Sequence, residues 1–96
     1  MTMPASIAGD MSIGHAGFSP APITPTTATV LVMGAPPHVV GDLIGPHVLG
    51  QAVHTGTVGK ASSTVLAGNK GVARLMDKGD CQSLILGSAA MVMVGG

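Results

Sequence analysis

Apolar residues in this chain come in short runs rich in β-branched side chains, and glycine or proline ends each run. Two such runs are residues 27–34, TATVLVMG, and residues 62–68, SSTVLAG. Runs of this kind are typical of short β-strands, and Gly34 and Gly68 fall where turns are expected. Pro or Gly interrupts every window long enough to test for a helical period, with a short helix over residues 70–77 as the alternative. The pattern therefore predicts an all-β chain with many turns.

The same pattern recurs along the chain at a shift of 35 residues. Residues 29–31 and residues 64–66 both read TVL, and an aspartate follows each at the same distance. Residues 91–94, MVMV, fill the strand position of a third, shortened copy, while the first copy begins only at Ile7. Repeats of this length are typical of architectures whose single units cannot bury their apolar face. We expect one domain over residues 1–96, made of hairpin-like units, in which each chain end supplies a partial unit.

Alternate residues of the expected strands point to opposite faces. One face carries Val30, Val32, Val65 and Val92. The other carries Leu31, Met33, Leu66, Met91 and Met93. Because a domain of this size encloses too little interior for both sets, we expect one of the two faces to form a docking surface.

The composition narrows the classes of function. Charged residues make up only 8% of the chain, with four basic and four acidic side chains, whereas about 25% is usual. A surface so poor in charge indicates a partner protein, and the lack of a basic cluster argues against nucleic-acid binding. The chain has one aromatic residue and one cysteine. A disulfide within the chain is therefore impossible, and a metal is the remaining cross-link.

No targeting or membrane segment is expected from the sequence. Five prolines interrupt the charge-free residues 11–41, and the apolar tail over residues 82–96 is too short to span a bilayer. Residues 1–10 lack the basic segment and apolar run of a signal peptide.

Three candidate metal ligands each follow an aspartate at a similar spacing. The pairs are Asp10 with His15, Asp42 with His47, and Asp77 with Cys81. His54, between the last two, completes a set of three imidazoles and one thiolate, which suits a tetrahedral zinc site without an open position for water. We expect this zinc to be structural, and we prefer zinc to iron because the set includes a thiolate.

Other polar residues have ordinary structural interpretations. His38 lies outside the aspartate-to-ligand spacing, and we expect a partly exposed packing or hydrogen-bonding side chain. Asp42 and Asp77 are expected to accept backbone N–H bonds in turns rather than to bind metal. Taken singly, each candidate ligand could also be a solvated turn histidine or a small buried cysteine.

Three motifs follow one another along the chain: GD-x(4)-H, then PPHV-x-GD, then GVAR-x(2)-D-x(3)-C. Their order resembles that of the PAAR-repeat family, which forms the tips of phage tail spikes and of type VI secretion spikes. The tetrapeptide that names the family maps onto residues 36–39 and 71–74. The first copy keeps only the proline and the second only the final Ala-Arg, and Met76 replaces the glycine of the GD pair in the second copy.

The resemblance implies a fold and a role. The fold would be a small cone of short β-hairpins with pseudo-threefold internal repeats and a metal near the apex, and the implied ligands are His15, His47, His54 and Cys81. The base would cap a trimeric β-helical spike, with one tip per trimer, and the tip would touch the target-cell membrane only transiently. The role would be structural and membrane-piercing, without catalysis, catalytic residues or a small-molecule substrate. The tip would belong to a phage virion or be secreted through a type VI system, an alternative that the sequence leaves open.

A small mononuclear zinc hydrolase is the alternative from a different class. It would use three histidine ligands and a metal-bound water, with Cys81 uninvolved. Asp80 is the nearby candidate for its general base. The chain has neither an HExxH pattern nor a serine-triad signature, and it offers few polar groups to line a cleft.

Overall fold

A computed structural model describes residues 2–13, 19–27, 29–80 and 83–95, with the backbone alone at Leu49, Ala52, His54 and Ala90. These residues form nine short strands and no helix, so the predicted all-β class is confirmed. The strands are β1 (Met3–Ala5), β2 (Met11–Ile13), β3 (Ala21–Thr24), β4 (Leu43–Leu49), β5 (Ala52–Thr57), β6 (Leu66–Ala67), β7 (Lys70–Gly71), β8 (Leu84–Ile85) and β9 (Ala89–Val94).

All strand pairings in the described residues are antiparallel. One sheet has the order β5-β4-β3-β2-β8, and the pairs β1-β9 and β6-β7 form two smaller sheets. The fold curls into a half-barrel. Val58, directly after β5, bridges Gly79, and Lys78 next to it bridges Leu84 in β8. The two outer strands of the larger sheet are therefore tied together through this short segment.

Two hairpins turn at the predicted glycines. The β6-β7 hairpin turns at Gly68-Asn69, and a hairpin closed by Val32 and Ala35 turns at Met33-Gly34. Both residues of each turn have positive φ, as two-residue hairpin turns that match the strand twist require. The strands are shorter than predicted, because residues 29–31 form no ladder. Their expected partner segment contains Pro36-Pro37, which has no N–H to donate.

A third strand pair joins the two ends of the described chain. β1 runs antiparallel to β9, with Met3 opposite Val94 and Pro4 opposite Met93. The strand of the shortened copy at residues 91–94 therefore pairs with β1, which lies before the predicted start of the first copy at Ile7. β1 and β9 form from two distant segments the kind of strand pair that β6 and β7 form within one.

Three tight turns share one hydrogen-bond pattern. The first residue of each turn donates its N–H to the carboxylate of an aspartate three residues later, and that aspartate donates its N–H to the carbonyl of the first residue, over 2.9 to 3.1 Å. The turns are Ile7–Asp10, Val39–Asp42 and Arg74–Asp77. The predicted turn role of Asp42 and Asp77 is confirmed.

The segments that lead into these turns bond to one another in a closed cycle, which we call the backbone ring (residues 4–8, 36–40 and 71–75). Ser6 donates its N–H to the carbonyl of Ala73 over 2.9 Å, Ala73 donates to His38 over 2.8 Å, and His38 donates to Ser6 over 2.9 Å. A second cycle runs in the opposite direction. Its bonds join Ala8 to Pro36, Val40 to Gly71 and Leu75 to Pro4.

The backbone ring corrects the boundary of the first repeat. Pro4 and Ser6 occupy the same bonding positions as Pro36 and His38, so the first copy extends back beyond Ile7. The sequence carries the signal, since PASIAGD resembles PPHVVGD. The shift between these two copies is 32 residues rather than 35 (36 − 4 = 32), and a comparison at one fixed shift therefore misses it.

The buried apolar residues form two clusters. The first contains Ala5, Val39, Ala67, Val72, Ala89 and Val94. The second contains Ala21, Ile23, Ile44, Val58, Ala73 and Ile85. The backbone ring contributes to both, because neighbouring residues of an extended segment point to opposite sides. No aromatic side chain appears in either cluster, so small aliphatic residues make up the described core.

The second of the two predicted faces is exposed. Its members, which we call the outer hairpin residues, are Leu31, Met33, Leu66, Met91 and Met93, and each is more than half exposed. Val32 and Val92 pack against the first cluster, as the alternation predicts. The prediction that Val30 and Val65 share the face of Val32 and Val92 is wrong, since both are exposed. Strand alternation does not apply to them, because both precede the paired residues of their hairpins.

Met76→Gly should stabilise the protein by about 0.5–1 kcal/mol. Met76 has a φ of 75°, whereas the equivalent turn positions are Gly9 and Gly41. Left-handed backbone costs a non-glycine residue about 1–2 kcal/mol, and the added freedom of glycine in the unfolded chain offsets part of the gain. The measurement is the free energy of unfolding in urea. Gly41→Ala is the matched control and should destabilise, so equal effects of the two changes would contradict this explanation.

Gly87→Ala should destabilise the protein by about 1–3 kcal/mol, the usual range for overpacking. A Cβ at Gly87 would collide with the carbonyl of Pro4 and lie 2.8 Å from the amide nitrogen of Leu75, the two partners of one bond of the backbone ring. Gly95→Ala is the control, since its Cβ would only touch the Thr2 methyl group at 3.4 Å. Thermal melting of both variants checks the difference, and equal melting temperatures would refute it.

Candidate metal centre

His47 is fully buried in β4, and the tautomer of its neutral ring follows from its contacts. Its Nδ1 lies 2.7 Å from the carbonyl oxygen of Ser19. A carbonyl only accepts, so Nδ1 carries the proton, and the lone pair of the neutral ring is on Nε2. Metal-binding histidines commonly donate one ring N–H to a carbonyl in this way, which orients the other nitrogen.

Local structure explains why His47 faces inward. The β4-β5 pairing is irregular between Ile44 and His47. An irregularity of this type changes the alternation of a strand, and both residues are buried although they are three positions apart. Ser19 also holds Val48, the residue after His47, through two hydrogen bonds. The Ser19 N–H donates to the Val48 carbonyl over 2.9 Å, and the Ser19 Oγ accepts from the Val48 N–H over 3.1 Å.

His54 lies directly opposite His47 in the β4-β5 register. The sequence offered no repeat counterpart for His54, so only the register of this hairpin relates the two positions. Residues directly opposite each other in antiparallel strands have Cβ atoms about 4.5–5.5 Å apart. The backbone therefore brings two of the four predicted ligand positions together.

The other two predicted ligands, His15 and Cys81, lie outside the described residues. The chain on either side of them is described. β2 ends at Ile13, two residues before His15, and Ile13 pairs with Leu84, three residues after Cys81. Among the side chains that the structure describes, no group of three or more His, Cys, Asp or Glu residues could hold a metal ion. The complete four-ligand set therefore stays a prediction.

Asp80, the candidate base of the hydrolase alternative, has a structural role. Its carboxylate accepts the N–H of Thr57 at Oδ1 over 3.0 Å and the Thr57 hydroxyl at Oδ2 over 3.1 Å. Its own N–H donates to the Thr57 carbonyl over 2.8 Å. Asp80 thus clamps the end of β5 to the segment before β8, and both of its carboxylate oxygens are engaged.

His38 differs from its prediction, because it is fully buried rather than partly exposed. Its Nδ1 lies 2.7 Å from the Oγ of Ser6, which is also fully buried. Burial lowers the pKa of His38, against the opposing effects of Asp42, Asp10 and the backbone of Ile23. A Ser–His pair can serve nucleophilic catalysis, but no substrate reaches a pair that is enclosed on all sides.

Arg74 has a role that the motif comparison did not assign. Its guanidinium makes two bonds of 2.9 Å to the carboxylate of Asp77, and its Nη1 donates to the carbonyl of Gly95 over 3.1 Å. Ser62 donates its hydroxyl to the same carbonyl over 2.6 Å. The hydrogen bond with Asp77 raises the pKa of Arg74. In the sequence, the R-x-x-D spacing could have indicated the pair of Arg74 and Asp77. In the structure, Arg74 fastens the end of β9 to the third aspartate turn.

Comparisons with known proteins add no assignment. No model of a protein family matches the chain, and no curated protein is significantly similar to it. In the described part of the chain, no helix has the length and apolar character needed to cross a bilayer.

Asp80→Ala should lower the free energy of unfolding by about 1 kcal/mol, because it removes two hydrogen bonds at an exposed site. Urea unfolding measures this loss. Asp80→Asn, which keeps one carbonyl acceptor, should lose less. If Asp80→Ala instead left stability unchanged and abolished an activity, Asp80 would be a functional residue and its role as a structural clamp would be wrong.

Proposed function

We propose that this chain is a spike tip of the PAAR type, a small cone that closes the end of a trimeric β-helical spike in a contractile injection machine. The observation that carries the proposal is the backbone ring. Three short segments, each leading into an aspartate turn with the same bonds, donate and accept in one closed cycle. Three like segments bonded in a cycle are what a pseudo-threefold axis through one chain would produce.

The symmetry argument concerns the partner. A single chain that caps a trimer must offer similar contacts to three identical subunits, and three like segments around one axis meet that requirement. Each segment of the backbone ring is also continuous with, or leads from, one of three two-stranded units: the β1-β9 pair, the hairpin at Met33-Gly34, and the β6-β7 hairpin. These three units therefore supply one candidate contact per subunit.

The outer hairpin residues supply the chemistry of docking. They are all apolar and exposed, and they lie in a chain with few charges. Open strand edges and exposed apolar side chains both favour association with another protein. The blunt end of a β-helix presents strand edges of its own, so burial of both surfaces on docking would stabilise the assembly.

The metal part of the proposal rests on His47. Its burial and its Nδ1–H bond to the Ser19 carbonyl fit a zinc ligand that binds through Nε2. His54 is opposite in the register, and His15 and Cys81 each follow an aspartate turn along the chain. We assign a structural zinc to these four residues, which would cross-link the three segments that follow the turns. A structural zinc contributes on the order of 10 kcal/mol to folding.

The proposed mechanism is mechanical. Contraction of the machine would push the spike and its tip against the target membrane. The tip would resist deformation because hydrogen bonds connect its segments in closed cycles. The backbone ring ties the three segments at one level, and the bridge from Val58 to Gly79 ties the larger sheet at another. We take a phage virion as the first candidate for the machine, with a type VI secretion system as the alternative. The hydrolase alternative gains no support, since its base Asp80 is bound to Thr57.

Zinc content tests the metal assignment. Elemental analysis of the purified protein should find one zinc per chain, and chelation should lower the melting temperature strongly. Cys81→Ser should bind zinc more weakly, while Ser83→Ala, a nearby change outside the proposed set, should keep full occupancy. A protein without metal that melts at the same temperature with and without chelator would refute the zinc site. Full zinc occupancy in Cys81→Ser would return attention to a three-histidine site with an open position.

Binding to a trimeric β-helical spike tests the docking assignment. Leu31→Asp should weaken binding of a recombinant trimeric spike by tenfold or more, because it places a charge in the proposed interface. Val53→Asp is the matched control, since Leu31 and Val53 are both 61% exposed and Val53 lies in β5, which carries none of the outer hairpin residues. Titration calorimetry gives the affinities and the expected stoichiometry of one chain per trimer. Equal affinities of the two variants, or a stoichiometry of three chains per trimer, would contradict the proposal.

A further inference from the structure

His38 is held in the backbone ring by its main chain and in the core by its side chain. Its N–H donates to the carbonyl of Ser6, and its own carbonyl accepts from Ala73. Its imidazole is fully buried. A movement of the His38 imidazole that displaces its main chain therefore alters two hydrogen bonds of the backbone ring.

The environment of His38 suits a neutral imidazole and not a charged one. Nδ1 bonds to the Oγ of Ser6 at 2.7 Å. Nε2 is buried, and no described group meets it with hydrogen-bond geometry. In the neutral ring one nitrogen donates and the other accepts, whereas in the protonated ring both carry a proton. Protonation would thus bury a charge and require an acceptor at each nitrogen. The Ser6 hydroxyl is in place at Nδ1, whereas the backbone of Ile23 favours the charged ring but makes no hydrogen bond to Nε2.

The neighbouring charges offset this cost only in part, because burial has the larger effect on the pKa of His38. The nearby carboxylates are Asp42 and Asp10, which end the turns that follow the second and the first segment. Each is already engaged by the N–H groups of its own turn. In the third segment, Arg74 is paired with Asp77 at 2.9 Å. The ionised groups of all three segments are therefore committed to other partners.

We propose that His38 is an acid-sensitive latch in the backbone ring: uptake of a proton by its buried imidazole opens the junction of the three segments. Because the ring residues contribute to both apolar clusters, opening this junction loosens the packing of the hairpins against the larger sheet. The latch does not depend on the spike-tip role or on zinc.

The direction of the effect follows from linkage. Burial lowers the pKa of His38 below its ordinary value of 6.5. As the pH falls, the unfolded chain therefore binds this proton before the folded chain does. Stability is fully present above pH 6.5 and is lost as the pH falls from there toward the lowered pKa of the folded state, by up to tenfold in the unfolding equilibrium constant per pH unit.

The test is unfolding in urea between pH 7.5 and pH 5.0 for the wild type, His38→Gln and Ser6→Ala. The wild type should lose stability through this range, and the protection factors of its Ser6, His38 and Ala73 amides, which correct for the pH dependence of intrinsic exchange, should fall. In His38→Gln, the part of the pH dependence of the free energy of unfolding that comes from binding one proton should disappear. Ser6→Ala keeps the imidazole and should retain the dependence. His15, His47 and His54 are present in all three proteins, so the comparison isolates the contribution of His38.

An unchanged pH dependence in His38→Gln would overturn the proposal. If His38→Gln does not fold, NMR of the wild type with labelled histidine decides. A His38 ring that is protonated near pH 6.5 while the three amides stay protected would refute the latch. A ring that stays neutral below that pH, until the amides lose protection, would support it. The spike-binding and zinc assays at neutral pH are independent of either result.

Discussion

Closure of the backbone hydrogen bonds among three short segments is the constraint on which this structure depends. Strands of two to seven residues cannot hold one another by ladder bonds alone, and the described core consists of small aliphatic side chains. In the backbone ring, each segment satisfies the N–H and carbonyl groups of the other two. Buried polar backbone groups must find partners, so the arrangement of the three segments is fixed together rather than in pairs.

The two sides of this junction serve different purposes in the proposed spike tip. Toward the hairpins, the buried residues are small, and the larger apolar side chains point outward, where a partner could cover them. Toward the larger sheet, His47 and the segments that follow the aspartate turns provide the polar chemistry. Neither the exposed apolar side chains nor the polar groups around His47 require a charged surface, so a chain with few charges can carry both.

The features that local sequence determines were predictable, and those set by distant contacts were not. The turns at Gly34 and Gly68 follow from backbone conformation, and the aspartate turns from a carboxylate that reaches an N–H three residues away. The burial of His38 depends on segments far along the chain. The pairing of His47 with His54 depends on an irregular register, which no repeat spacing encodes. The exposure of Val30 was missed because strand alternation holds only where a partner strand is present.

The pairing of β1 with β9 has a consequence for the order of events during synthesis. Met3 and Val94 face each other across 91 positions of sequence (94 − 3 = 91), so β1 leaves the ribosome long before its partner β9. Until β9 is made, β1 is an open strand edge, and the first segment of the backbone ring lacks some of its final hydrogen-bond partners. Non-local pairing of this kind slows folding and leaves strands available to neighbouring chains. Synthesis from the N-terminus onward therefore leaves β1 open to association with other nascent chains until β9 emerges.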